Sequence, residues 1–208
     1  VTDRPREVDT PLGPARVHRF DPPGAVAGTL VLGHGAGGGV DSADLTAVTT
    51  AAVGAGWRVL LVEQPWKVAG RRIAPAPARL DDGWTAVLDA VRTTELTGPL
   101  VLGGRSAGAR VACRTASAQR AAGVLALAFP LHPPGKPEKT RAGELQLVDV
   151  PLLVVQGHTD AFGEPAEVET ALAGRPGTVR GVPGDHALKK DPTAVAAAVT
   201  DWLGELGP

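Results

Sequence analysis

Gly104, Ser106 and Gly108 fill the pattern G-x-S-x-G inside the stretch Pro99 to Arg110, PLVLGGRSAGAR. A short apolar run, Leu100 to Leu102, comes before the pattern, and small residues compatible with a helix come after it. Strand, sharp turn and helix in that order lift one serine hydroxyl above a sheet, and the two glycines leave room for the strained backbone. A serine hydroxyl attacks a carbonyl only with a base in reach and a further group to orient that base. Downstream the chain offers Asp160 and then His186, each just past an apolar run that reads as a strand. Serine, acid and histidine in that order point to acyl transfer, with Ser106 as nucleophile, His186 as base and Asp160 holding the imidazole.

The competition for these roles is thin. Only three serines occur, and the others, Ser42 and Ser117, fall at a helix cap and inside a helix. His186 follows the last strand, whereas His132 lies in the proline-stiffened loop Pro130 to Lys136 and reads either as a substrate contact or as a structural residue. Asp185 would have to fold back on its neighbour His186, and Glu164 lies beyond Asp160. Cys113 sits among the small packing residues that follow the elbow and is not a credible nucleophile.

A glycine-rich loop, Gly33-His34-Gly35-Ala36-Gly37-Gly38-Gly39, follows the apolar run Gly28 to Leu32. A phosphate-binding P-loop would need a lysine and a hydroxyl residue after its last glycine, and neither is there. A dinucleotide G-x-G-x-x-G fits in register Gly33, Gly35, Gly38, with Glu63 as a loose match for its acidic residue. The favoured reading is an oxyanion loop, because it closes a strand two before the elbow and its backbone N–H groups would face a developing negative oxygen. Ala36, with Gly37 as the alternative donor, would supply one N–H and Ala107 the other, while His34 braces the loop. Trp66, just past the next strand, reads as a wall for an acyl or alcohol group or as an aromatic that anchors its loop.

The elements that must position these groups alternate. Strands are expected at Ala15 to Phe20, on an edge, then at Gly28 to Leu32, Arg58 to Val62, Leu100 to Leu102, Gly123 to Phe129, Pro151 to Val155 and Thr178 to Val182. Helices are expected from Asp41 or Ser42 to Gly54, from Asp81 and Asp82 with the stripe Trp84, Val87, Leu88, Val91, after the elbow, over Pro165 to Leu172, and after Asp191-Pro192. Residues 1–11 read as a loose lead-in and 67–80 as a loop. This alternation argues an α/β class with a mostly parallel central sheet covered by helices on both faces. At 208 residues it suits one domain, 1–208. Between Phe129 and the acid strand there is room for a loop and a short helix only, so no large cap is expected, and an open, shallow site would suit small or short-chain esters.

Lys plus Arg (21) nearly balance Asp plus Glu (22), with no basic cluster of the kind that tracks phosphates, which argues against nucleic acid and anionic membrane and for a small-molecule partner. A single cysteine excludes an intramolecular disulfide and is compatible with a reducing compartment. The first twenty residues lack the apolar core of a signal peptide, and no later apolar run is long enough to span a bilayer, so a soluble, cytoplasmic protein is expected.

Over nearly its full length the chain resembles the α/β-hydrolase superfamily, and within it the small uncapped, dienelactone-hydrolase-like members. The resemblance lies in HGAGGG at 34–39, GGRSAGAR at 103–110, FPLHPPGKPEKTR at 129–141, VVQGHTDAFG at 154–163 and GDHALK at 184–189. It implies Ser106 as nucleophile, Asp160 and His186 as its partners, and no metal or organic cofactor. Dienelactone hydrolases proper use a cysteine where this chain has Ser106, so the resemblance does not carry over their particular substrate. A carboxylesterase is the expectation; a thioesterase, amidase or lactonase would use the same groups, and a non-catalytic binding module would keep the fold alone.

Overall fold

The computed structural model describes residues 4–172 and 174–206. In chain order the elements are β1 (Arg6–Val8), β2 (Ala15–Phe20), β3 (Gly28–Gly33), α1 (Ala43–Gly54), β4 (Trp57–Glu63), α2 (Pro65–Val68), α3 (Pro77–Val91), β5 (Leu100–Arg105), α4 (Ala107–Thr115), β6 (Gly123–Leu127), α5 (Ala142–Gln146), β7 (Leu152–Gly157), α6 (Pro165–Leu172), β8 (Thr178–Val182) and α7 (Pro192–Leu206). The eight strands form one sheet in the order β1-β2-β4-β3-β5-β6-β7-β8. From β4 to β8 every pairing is parallel, while β2 runs antiparallel to both its neighbours, β1 and β4.

The central strands are apolar on both faces because both faces are covered. Val31, Leu60, Val62 and Leu102 belong to one core, packed with Trp84, Leu88 and Val111 from α3 and α4. Leu30, Leu32, Val59, Leu61 and Val101 face the other, packed with Leu45, Val48, Val195 and Trp202 from α1 and α7. Among the described residues, no helix is long and apolar enough to cross a membrane.

Strand β6 stops at Leu127 rather than Phe129, and α2 takes in the first two residues of the expected 67–80 loop; two further differences change the architecture. Part of the stretch read as a loose lead-in is strand β1, which pairs Arg6 with Val17 and Val8 with Ala15, so β2 is not the sheet edge; residues 1–3 lie outside the described residues. Only Val8 of β1 is buried, which leaves no apolar alternation to read. A long-range bond fixes the strand instead: Arg6 Nη1 donates to Glu95 at 2.7 Å. Helix α3 starts at Pro77 rather than at Asp81, inside the expected loop. Proline is suited to the first helical turn, where its missing N–H costs nothing. Leu80, buried four residues before Trp84, extends the stripe backwards.

The segment 128–151 between β6 and β7 carries a single 3-10 turn, Pro137–Lys139, and the five-residue α5, with no cap. Arg110 of α4 forks onto Glu144 of α5, donating from Nε at 2.8 Å and from Nη2 at 2.5 Å. Arg114 reaches both Glu144, at 3.1 Å, and Asp81 of α3, at 2.6 Å. These pairs hold the segment down on α4.

The parallel strands deliver their carboxyl ends to one rim, where β3, β5 and α4 meet with no space to spare. A Cβ on Gly104 or on Gly108 would lie 2.4 Å from the Gly33 carbonyl oxygen. Exposed helical glycines usually gain about 1 kcal/mol on replacement by alanine, but Gly108→Ala must push two backbones apart. We expect it to lower unfolding stability by about 1–3 kcal/mol, measured as a reduced urea midpoint; a gain in stability would show the contact to be slack.

Candidate active site

Ser106 leaves β5 with φ 52° and ψ −107°, a left-handed conformation that a non-glycine residue adopts only under constraint. The constraint is the tight contact with Gly33, together with a bond from the Ser106 N–H to the Leu127 carbonyl at 2.9 Å. The turn leaves Oγ 2.9 Å from Nε2 of His186. Nδ1 of the same imidazole lies 2.8 Å from Oδ2 of Asp160. With the carboxylate accepting at Nδ1–H, Nε2 is the acceptor that faces the serine hydroxyl. Thus the structure brings together the three side chains picked out by order alone.

Asp160 is fully buried, and its oxygens are engaged. The Phe162 N–H donates to Oδ1 at 2.8 Å, and the Gln156 amide donates to Oδ2 at 2.9 Å. The amide nitrogen of Gln156 also reaches the Gly163 carbonyl at 2.7 Å, which ties the turn after β7 to the strand. The His186 turn packs directly on that strand end: a Cβ on Gly157 would stand 2.6 Å from the carbonyl oxygens of Gly184 and Asp185. The Phe162 ring covers the His186 imidazole, with centroids 4.2 Å apart and planes tilted by 31°. The imidazole remains 20 % exposed, so one side of the site is open to solvent.

The glycine-rich loop follows β3 as expected. Nδ1 of His34 donates to the Gly35 carbonyl at 2.9 Å, and Nε2 accepts the Gln64 N–H at 3.1 Å. His34 therefore clamps the loop to the end of β4. Burial keeps it below the usual histidine range, and the charge of Lys67 acts in the same direction. Ala36 and Gly37 line a cleft of about 290 Å³ together with Trp66. The Trp66 ring packs on His34 at 5.4 Å, so it anchors the loop and walls the cleft at once. Ala107 opens α4, where the first N–H groups have no carbonyl within the helix to bond. The His132 ring bonds the Pro133 carbonyl at 3.0 Å and Glu167 of α6 at 3.2 Å. Of the two readings left open for it, these bonds fit the structural one. Burial pushes the Cys113 thiol up to about 12, consistent with a packing residue.

Sequence reading missed Arg105, the variable residue before the serine. Its Nη2 donates to the His186 carbonyl at 2.7 Å, and its Nε lies 3.1 Å from Asp44 of α1, whose side chain is wholly buried. A Cβ on Gly35 would stand 2.8 Å from Arg105 Nη1, so the guanidinium also runs under the glycine-rich loop. One cation thus joins α1, the loop, the elbow strand and the histidine turn. Gln156, a polar residue in the apolar run LLVVQ, was a legible signal; Phe162 and Asp44 gave none.

Removing one partner of a buried ion pair leaves an uncompensated charge. Arg105→Met should therefore cost about 3–5 kcal/mol of stability, and adding Asp44→Asn should recover part of it in urea titrations; additive losses would sink the pairing. His34 is neutral in the fold, so the unfolded chain binds the extra proton as pH falls through the ordinary value of 6.5. Stability should drop as pH falls below 6.5, and His34→Gln should flatten that slope; an unchanged slope would show that His34 titrates alike in both states.

A family model described as an alpha/beta hydrolase domain matches residues 26–198. Among solved structures, an alpha-beta serine hydrolase homologue from Coxiella burnetii is similar at 19% identity and TM-score 0.83, over 98% of this chain and 98% of that one. XC6422 from Xanthomonas campestris, described as an a/b serine hydrolase without lid, is similar at 21% identity and TM-score 0.79, over 100% and 97%. A cold-adapted esterase from an Arctic intertidal metagenomic library is similar at 18% identity and TM-score 0.74, over 98% and 93%. No curated protein matches the chain in sequence. With the family model spanning most of its length, the chain belongs to the alpha/beta hydrolase domain family.

Proposed function

We propose that this chain is a serine hydrolase that cleaves small or short-chain carboxylic esters through an acyl-enzyme on Ser106. The observation that carries the reading is the continuous path from Ser106 Oγ through His186 to Asp160, at 2.9 and 2.8 Å. His186 takes the hydroxyl proton as Oγ adds to the ester carbonyl, then returns it to the departing alcohol. Water, activated by the same imidazole, releases the acid. Asp160, held by Gln156 and Phe162, fixes the tautomer and stabilises the imidazolium that forms. The N–H groups of Ala107 and of Ala36, or of Gly37 in its place, would bind the oxyanion. Short acyl chains are favoured because, among the described residues, no cap is inserted between β6 and β7, and esters because a fold neighbour is described as an esterase.

The test is labelling by a fluorophosphonate probe together with hydrolysis of 4-nitrophenyl acetate and butyrate. The native chain should label; Ser106→Ala and His186→Ala should not, and each should lose about 10⁴-fold or more in kcat. Labelling that persists in Ser106→Ala, or none in the native chain, would overturn the reading. A matched panel of esters, thioesters, lactones and amides ranks the bond types, with esters expected first.

A further inference from the structure

From Gln64 to Leu80 the chain carries Lys67, Arg71, Arg72 and Arg79 and no acidic residue, in a protein whose overall charge is −1. The structure gathers this excess at the candidate site, a cluster that overall charge balance had concealed. Lys67, Arg71 and Arg72 line the cleft of about 290 Å³ that starts at Ala36 and Gly37 and is walled by Trp66. Arg79 joins Arg71 and Trp66 around a smaller neighbouring cleft. By contrast, the buried or half-buried Arg58, Arg105, Arg110 and Arg114 each meet a carboxylate. Among the described residues, no ion pair forms at Lys67, Arg71, Arg72 or Arg79. The nearby Asp41 carboxylate approaches Gly39, as does Lys67 Cε, without a pair forming.

We infer that this cleft binds a phosphate group carried by the substrate, so that the preferred esters are acyl esters of small phosphorylated alcohols. Three uncompensated cations repel one another, and a dianion relieves more of that repulsion than a single carboxylate does. Two guanidinium forks also match the phosphate oxygens, with Lys67 adding a point charge. The inference rests on the esterase reading of the same site. In the reaction only the acyl carbon–oxygen bond breaks: water supplies hydroxyl to the acyl group and a proton to the alcohol, and the phosphate ester is untouched.

The experiment compares 1-butyryl-glycerol 3-phosphate with 1-butyryl-glycerol, which differ by the phosphate alone. In the native chain kcat/KM should favour the phosphorylated ester by about tenfold or more, and added salt should shrink the ratio. In Lys67→Gln/Arg71→Gln/Arg72→Gln the ratio should fall toward one, and Arg71→Lys/Arg72→Lys should keep part of it. Calorimetric titration of the native chain with sn-glycerol 3-phosphate should saturate, and the triple glutamine variant should show at least about tenfold weaker binding. An equal rate for the two esters, a ratio that survives the triple variant, or no saturable binding would overturn the phosphate assignment. So would a mono-4-nitrophenyl glutarate that gains as much over 4-nitrophenyl valerate, since the cleft would then select carboxylates. Loss of fluorophosphonate labelling with intact glycerol phosphate binding would strike the esterase reading and leave the cleft standing.

Discussion

The candidate site depends on a backbone contact that leaves no room for side chains. Gly104 and Gly108 sit on either side of the elbow and both press against the Gly33 carbonyl. That contact forces the left-handed backbone at Ser106, brings α4 over β3 and sets the serine beside the loop that follows Gly33. The two glycines of the motif are therefore the contact surface of three elements. The hydroxyl is placed by main chain and so moves little, as a group that must meet a distant imidazole requires.

The rest of the rim is assembled by polar groups that would be costly if left alone. Asp160, Gln156, His34 and Asp44 are all buried, and each is held by partners from a different stretch of chain. Arg105 has the widest reach, from α1 to the turn of His186. Buried charges of this kind add little net stability over an apolar packing, but they admit one arrangement only. Here that arrangement puts the glycine-rich loop and the imidazole at fixed positions around Ser106.

Much of this was legible in the sequence because the informative residues punctuate strand ends. Ser106, Asp160 and His186 each follow an apolar run, and parallel strands carry such positions to one rim whatever the loop details. Apolar stripes gave α3 and α7 in the same way, and the short interval after Phe129 excluded a cap. What escaped reading depends on partners far away in the chain. β1 has a single buried residue and is fixed by Glu95, and Pro77 opens a helix inside the stretch 67–80 that read as a loop. Arg105 and Asp44 are ordinary charged residues until the fold places one against the other.

The ion pairs that pin the 128–151 segment to the side of α4 also shape what happens after the first chemical step. With no cap among the described residues, an acyl group on Ser106 would stand open to solvent on the side where the imidazole is exposed. Water is then the acceptor always at hand, and a competing alcohol would have to be concentrated by a binding surface of its own. On the proposed reading, a rim built this way would favour hydrolysis over group transfer.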